Sequence, residues 1–345
     1  MNKLVIFNLR TDANSSVLAA SIDWIEEFRN HFSVTDVIST HVGKTTEVKN
    51  VRLLEIGGGS QWARIVAVLR LTRFALYLIP RRKNYLIFHH MSPRTAVFPG
   101  ILFKAFRIPQ ALWYSHSSKP YSLMISARIV DFIFSSEKNS LPVQSSNAHY
   151  VGHGISLKRF GVSQPVTNRK NAVLFIGRIS PIKNLFDLID EVSLLDSKIP
   201  IKLIGPQFDS KYAKELFRYA TEKGISLSID DSVTYDKVPF IMSQYKYFYS
   251  GMKLSVDKSS LEAAISGCFV LTTDLGTQKL SGMRKLWEIN TPRDLDSIHK
   301  QIQFLETISA RELNDFQGFV RNEAIIRNSL EKTILKMASL MKSKL

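Results

Sequence analysis

A run of five apolar residues, 172–176, lies near the middle of the chain and ends at Gly177. A short, β-rich apolar run of this kind is typical of a buried strand in a parallel sheet, and the glycine indicates a turn. Pro181 and the apolar residues that follow at helical spacing predict a helix directly after the turn; these residues are Leu185, Leu188, Ile189 and Val192. A strand, a turn and a helix in this order form the repeating unit of an α/β fold.

Two cations, Arg178 and Lys183, lie within that turn. In open α/β sheets, ligands bind at the carboxyl ends of the strands, and a helix N-terminus beside two cations favours an anion such as a diphosphate. The residues therefore predict an anion site, with an ordinary solvated Arg and Lys pair as the alternative.

The same alternation of strand and helix is repeated before and after this stretch. It predicts two doubly wound, Rossmann-like α/β domains that face each other across a cleft. We expect an N-terminal domain at 1–165, a C-terminal domain at 166–310, and a terminal helix at 311–345 that packs back on the first domain.

The overall charge predicts an anionic partner. The 345 residues include 46 Lys and Arg against 30 Asp and Glu, a formal net charge of +16. The single cysteine, Cys268, excludes an internal disulfide and a zinc site made of cysteines, and it favours a reducing, cytoplasmic compartment. The N-terminal apolar run is too short for a signal peptide and indicates a first strand, and no run is long enough to span a membrane.

The positive charge is concentrated in residues 56–130, which contain eleven Lys and Arg and no Asp or Glu. Two predicted helices there, 60–80 and 95–108, mix aliphatic and aromatic residues with Lys and Arg. Helices of this composition lie in the interface of anionic bilayers, where each cation contributes about 1 kcal/mol. The sequence thus predicts peripheral membrane binding; the alternative is a pair of core helices with solvated arginines.

Four segments resemble the two-domain GT-B glycosyltransferases, in particular the large retaining group of glycosyltransferase family 4 type. That group includes bacterial mannosyl-, glucosyl- and N-acetylglucosaminyl-transferases that act on membrane-linked acceptors, such as those of polysaccharide and lipopolysaccharide biosynthesis. The segments are FIGRISPIK at 175–183, YVGHGISLKRF at 150–160, WYSHSS at 113–118 and LEAAISGCFVLTTD at 261–274. The resemblance covers most of the chain.

The resemblance implies roles for five residues. Arg178 and Lys183 match the cations that hold the donor diphosphate and neutralise the leaving group. Glu262 matches the glutamate that accepts hydrogen bonds from the ribose, and His116 matches a histidine that reaches the donor sugar. Asn14 lies in the loop after the first strand, which approaches the donor phosphates and the acceptor. His89 and His90 also follow a strand, and one of them is a weaker candidate for the acceptor side.

The sequence departs from the family pattern at Leu254, where the family has a second glutamate that contacts the sugar. Two replacements are open. Asp257 is one candidate sugar contact, and the amides of Lys258, Ser259 and Ser260 at a helix start are candidate phosphate ligands. The departure leaves the donor sugar undetermined.

Three functional hypotheses follow. The favoured one is a metal-independent glycosyltransferase that uses a nucleoside diphosphate sugar donor, a lipid-linked or glycan acceptor and an anionic membrane surface. Because of Leu254, the alternative is a catalytically silent GT-B subunit that scaffolds a glycan-assembly complex. A nucleic-acid partner is suggested by the net charge alone, and we expect none, since the chain has no recognised nucleic-acid motif.

Overall fold

The computed structural model describes residues 2–15, 18–45, 51–57, 60–161, 164–207, 209–253, 256–290 and 295–344. The chain forms two compact units, one made of Met1–Gly154 with Leu330–Leu345 and the other of Ile155–Ser329. Leu254, the departure from the family pattern, lies outside the described residues.

The first unit contains a seven-stranded parallel sheet with the order β3-β2-β1-β4-β5-β6-β7. Its strands are β1 Lys3–Thr11, β2 Ser33–Val42, β3 Arg52–Glu55, β4 Tyr85–His90, β5 Gln110–Trp113, β6 Phe132–Ser135 and β7 Ala148–Tyr150. Its helices are α1 Ala20–Arg29, α2 Gln61–Leu78, α3 Pro93–Val97, α4 Gly100–Ala105, α5 Tyr121–Ile129 and the C-terminal α15 Leu330–Lys342.

Helices cover both faces of this sheet, and its central strands accordingly contain buried apolar runs, at 4–7 in β1 and 85–88 in β4. On one face, α1 and α15 pack on the strands through Trp24, Phe28 and Ile334. On the other face, the C-terminal half of α2 packs through Leu71 and Phe74. The central strands of the sheet therefore lie between two layers of helices.

The second unit contains a five-stranded parallel sheet with the order β10-β9-β8-β11-β12. Its strands are β8 Lys170–Ile176, β9 Ile201–Ile204, β10 Leu227–Asp230, β11 Tyr245–Tyr249 and β12 Phe269–Leu271. Its helices are α6 Leu157–Phe160, α7 Leu185–Ser193, α8 Ser210–Glu222, α9 Val238–Met242, α10 Lys258–Ile265, α11 Leu275–Ser281, α12 Met283–Asn290, α13 Ile298–Thr307 and α14 Ala310–Asn328. The prediction of two doubly wound parallel α/β domains is confirmed for each unit taken by itself.

The unit boundaries differ in detail from the predicted ones. The predicted boundary at 165 lies inside the second unit because Phe160 is fully buried there, 5.6 Å from the Tyr235 ring. The predicted terminal helix consists of two helices, α14 in the second unit and α15 in the first, with Ser329 between them.

The predicted helix at 95–108 is wrong as a single element. The structure has two short helices, α3 and α4, with Phe98 and Pro99 between them. Pro99 has no amide hydrogen to continue α3, and its ring disfavours a helical conformation at Phe98, whose backbone is extended.

The buried imidazole of His89 makes the stability of the first unit pH-dependent. The ring is fully buried, with Nδ1 2.9 Å from the Thr95 hydroxyl and Nε2 3.3 Å from the Gln110 side-chain oxygen. Burial lowers the pKa of His89 to about 3, so the ring stays neutral in the folded protein. His89 is thus a structural residue and is removed from the acceptor-side candidates.

We predict that His89 lowers the unfolding free energy of the wild-type protein by about 1.4 kcal/mol per pH unit as the pH falls below about 6.5, towards about 3. The unfolded chain binds a proton to His89 in this range and the folded chain does not. His89→Gln keeps hydrogen-bonding groups but does not titrate, so in urea unfolding experiments its slope should be about 1.4 kcal/mol per pH unit smaller than that of wild type, and the slope that remains comes from other groups such as Asp12. Between about pH 7 and 8 the two proteins should show parallel pH dependence; parallel curves below about pH 6 as well would contradict the assignment.

Candidate functional site

The candidate site lies at the carboxyl ends of β8 and β11, which are neighbours in the second sheet. The strand order reverses between them, since β9 and β10 follow on one side and β12 on the other. Such a reversal point is the usual ligand position in open α/β sheets. The described residues that follow these strands are 177–184 after β8, and 250–253 with 256–257 after β11. The topology thus brings Arg178, Lys183 and Asp257 to one edge.

Two glycines let the loops approach closely. A Cβ atom at Gly251 would lie 2.2 Å from the carbonyl oxygen of Lys183, and one at Gly205 would lie 1.8 Å from that of Gly177. Both distances are far below van der Waals contact, so neither position accepts a side chain without movement of the loop after β8.

Asn184 connects the loop after β8 to β11 and the residue Gly251 that follows it, through two hydrogen bonds. Its backbone is left-handed, with φ of 51°, a conformation that asparagine tolerates better than most residues. The Asn184 side-chain amide donates to the Gly251 carbonyl at 2.6 Å. The Asn184 backbone carbonyl accepts from the Tyr249 hydroxyl at 2.8 Å. Burial raises the pKa of Tyr249, so the phenol stays protonated and continues to donate.

Lys183 is buried, with 6% of its surface exposed, and its ammonium lies 2.5 Å from a carboxylate oxygen of Asp257. Asp257 precedes α10, but its side chain makes no capping bond to the helix amides. The carboxylate instead neutralises a cation that would otherwise be buried without a partner, which would cost several kcal/mol. Lys183 is therefore held in place at the sheet edge and already has an anionic partner.

Arg178 is in a different environment. It is exposed and makes no ion pair with any residue in the described ranges. Its guanidinium is available to an incoming anion without first breaking an internal contact. The two predicted cations thus differ: Lys183 is fixed and paired, whereas Arg178 is exposed.

Glu262 is also buried, with 5% of its surface exposed, and belongs to a three-residue cluster. One of its oxygens accepts from the Tyr235 hydroxyl and from the Lys258 ammonium, each at 2.6 Å. Two cations lie over the Tyr235 ring, Lys258 at 4.9 Å and Arg159 at 5.0 Å from the ring centroid. A carboxylate offers about four acceptor positions, so Glu262 retains capacity for further donors.

The two serines at the start of α10 differ in what they offer. Ser260 is buried, and its hydroxyl donates to the Asp257 carbonyl at 2.6 Å, to which its amide is also bonded. Ser260 therefore closes the first turn of the helix. Ser259 is half-buried beside it.

Two further predicted residues, His116 and Asn14, belong to the first unit. His116 is exposed in the loop after β5, and its Nδ1 accepts the Ser118 amide hydrogen at 2.9 Å. This bond places the ring hydrogen of a neutral His116 on Nε2, which is then a donor.

Asn14 is exposed in the loop after β1, which is organised by Asp12. The Asp12 carboxylate accepts the amide hydrogens of Asn14 and Lys44 and the guanidinium of Arg10. Burial opposes ionisation, but these hydrogen bonds prevail and lower the pKa of Asp12. A Cβ at Gly43 would overlap Asp12 at 2.3 Å, so this arrangement requires glycine there.

Sequence reasoning missed Asp12, Tyr235 and the side-chain role of Lys258, of which only the backbone amide was a candidate. The Lys258 and Glu262 pair was detectable, because cation and carboxylate are four residues apart in a predicted helix. Tyr235 carries no sequence signal, since it lies in a loop distant in sequence from Glu262.

Comparison with known proteins supports the fold and little beyond it. No protein-family model and no curated protein sequence matches the chain. Solved structures match over nearly its whole length. Anabaena Alr3699/HepE in complex with UDP is similar with a TM-score of 0.74 and 16% identity, covering 99% of this chain and 100% of that chain.

A glycosyltransferase from Rickettsia africae ESF-5 is similar with a TM-score of 0.73 and 11% identity, covering 100% of this chain and 99% of that one. The apo form of the lipopolysaccharide outer core galactosyltransferase WaaB has a TM-score of 0.65 and 12% identity, with 99% of both chains covered. At these identities the likeness shows the fold. The GT-B fold implied by the resemblance is confirmed.

We predict that Gly251→Ala lowers the unfolding free energy of the protein by about 1–3 kcal/mol, because the new methyl group overlaps the Lys183 carbonyl. Gly318→Ala is the matched control. Gly318 lies within α14 with open space around its Cβ position, so alanine there should be neutral or stabilise by up to about 1 kcal/mol. Urea unfolding measures both, and equal stabilities for the two variants would show that the two loops are not in tight contact.

Proposed function

We propose that the protein is a glycosyltransferase that moves a sugar from a nucleoside diphosphate sugar to a hydroxyl of a lipid-linked or surface-glycan acceptor, with retention of configuration. The observation that carries the proposal is the placement of Arg178 and Lys183 at the reversal point of the second sheet. The fold supports it, because similar structures include glycosyltransferases and a protein crystallised with UDP.

In the proposed reaction, the acceptor hydroxyl oxygen bonds to the anomeric carbon as the bond between that carbon and the diphosphate oxygen breaks. Negative charge accumulates on the leaving diphosphate, which takes up the hydroxyl proton. Arg178 and Lys183 stabilise that charge, so neither a general acid for the leaving group nor a metal ion is required. The diphosphate takes the Lys183 ammonium partly from Asp257, and the Asp257 carboxylate then becomes available to hydroxyls of the donor sugar.

The other predicted residues complete the donor site. Glu262 accepts the ribose hydroxyls, while Lys258 and Tyr235 hold its orientation through one oxygen. His116, in the first unit, has an Nε2 hydrogen to offer to the donor sugar, and Asn14 remains the predicted residue for the donor phosphates and the acceptor. UDP is the first nucleotide to test, since it is bound in a structure of the same fold.

We predict that Arg178→Ala reduces sugar transfer by about 100-fold or more, because one charge-stabilising group is lost. Its melting temperature should stay unchanged, since Arg178 is exposed. The measurement is nucleotide release from a panel of nucleoside diphosphate sugars with lipid-linked acceptors. Arg218→Ala, an exposed arginine of α8, is the matched control and should keep full activity.

A thermal-shift screen over nucleotides identifies the donor, since a ligand of the folded state raises the melting temperature. Wild-type turnover by Arg178→Ala would refute the assigned role. Nucleotide binding without transfer to any acceptor would favour the catalytically silent subunit instead.

The proposal includes peripheral binding to the cytoplasmic face of an anionic membrane. The N-terminal half of α2 exposes large apolar side chains, including Trp62 at 77% and Leu69 at 63%. The segment that follows α2 exposes Arg81, Arg82 and Lys83. Amphipathic elements of this kind insert apolar groups into the interface while cations contact lipid phosphates. No helix in the described part of the chain has the length and hydrophobicity needed to cross a bilayer.

We predict that the wild-type protein floats with vesicles rich in phosphatidylglycerol. Replacing Arg81, Arg82 and Lys83 together by alanine should weaken binding by about 3 kcal/mol, or on the order of 100-fold. Vesicles of neutral phosphatidylcholine serve as the control and should bind both proteins weakly. Equal flotation of the two proteins with anionic vesicles would show that Arg81, Arg82 and Lys83 do not contribute to membrane binding.

A further inference from the structure

A cavity of about 380 Å³ opens between α2 and the edge strand β3 of the first unit. Its walls are apolar and come from both sides, with Ile38, Leu54 and Ile56 on the sheet and Leu71, Phe74 and Tyr77 on α2. The volume lies within the range of small-molecule pockets, about 300–1000 Å³. Nothing in the proposed sugar transfer uses this cavity.

Four charged residues lie at its rim, and only two cations among them are available to a ligand. Arg52 is paired with Asp36 at 2.5 Å. The Glu55 carboxylate accepts the Val42 amide hydrogen at 3.2 Å and lies 3.8 Å from a ring nitrogen of His41.

The two available cations are Arg70 and Arg73, both exposed. Arg70 makes only a long bond of 3.3 Å to the Glu55 carbonyl. Arg73 has no ion pair within the described residues. The rim therefore offers two guanidinium groups that suit a phosphate, above an apolar interior.

The same helix also exposes apolar side chains before Arg70. Leu69 is adjacent in sequence to Arg70 and 63% exposed, and Val66 lies one turn earlier at 42%. The cavity itself combines an apolar interior with cations at its rim. An amphipathic anion with a hydrocarbon chain matches both features.

We propose that this cavity binds one hydrocarbon chain of an anionic membrane phospholipid, with the lipid phosphate on Arg70 and Arg73. This site adds contact with one specific lipid to the general electrostatic attraction between the protein's cations and the anionic membrane. The inference rests on the membrane binding proposed above, and it is independent of the sugar transfer.

The test is calorimetric titration with short-chain lipids below their micelle concentration. Dihexanoyl phosphatidic acid should bind, and each methylene added per bound chain should raise its affinity by about four-fold until the cavity is filled. Dihexanoyl phosphatidylcholine should bind at least about ten-fold more weakly, because its headgroup has no net charge, and inorganic phosphate should bind more weakly still because it lacks the chain.

Two variants separate the cavity from general charge attraction. Leu54→Trp fills the cavity and should abolish binding of the phosphatidic acid, and Arg73→Ala should weaken it by about ten-fold. Arg128→Ala is the matched control, since Arg128 is an exposed arginine of the first unit that does not line the cavity, and the affinity of this variant should equal that of wild type.

Wild-type affinity in Leu54→Trp, or equal losses in Arg73→Ala and Arg128→Ala, would overturn the proposal. Arg73→Ala changes an exposed residue and provides the decisive result if Leu54→Trp does not fold. A thermal shift with UDP on the same variants reports the donor site separately, so failure of the lipid site and failure of the proposed transferase function are distinguishable.

Discussion

The contact between the Gly251 backbone and the Lys183 carbonyl determines what the second unit presents at its sheet edge. Because position 251 has no side chain, the loops after β8 and β11 lie against each other, and Asn184 bonds across the contact. The Lys183 side chain is consequently buried and meets Asp257. A buried ion pair contributes little net stability, but it fixes the position of the cation at the point where an anion would arrive.

The sequence was informative where a property depends on neighbours along the chain. The apolar run at 172–176 and the spacing of Leu185 and Leu188 predicted β8 and α7, and the carboxyl-end rule then placed Arg178 and Lys183 at the correct edge. Properties that depend on contacts between residues distant in the chain could not be predicted from the sequence. Tyr235 reaches Glu262 from the loop after β10, and Asp12 depends on the absence of a side chain at Gly43.

Helix α2 shows a different limit. Its apolar residues surround the helix, so periodicity does not define one buried face, and both the core and the membrane interpretation remained open. In the structure, one half of the helix is buried and the other half is exposed. The C-terminal half packs on the sheet through Leu71, Phe74 and Leu78, whereas the N-terminal half exposes Trp62 and Leu69. Which turns of the helix lie against the sheet cannot be read from the sequence pattern alone.

The pairing of Lys183 with Asp257 has a consequence for selectivity under the proposed function. The carboxylate is an internal competitor, tethered at a constant effective concentration that no change of ligand concentration alters. An incoming anion gains the Lys183 ammonium only if it attracts this group more strongly than Asp257 does, whereas Arg178 requires no such exchange. Attraction to the ammonium increases with the charge of the ligand. Under the proposed function, this exchange therefore favours a diphosphate over a singly charged anion before any contact with sugar or base is made.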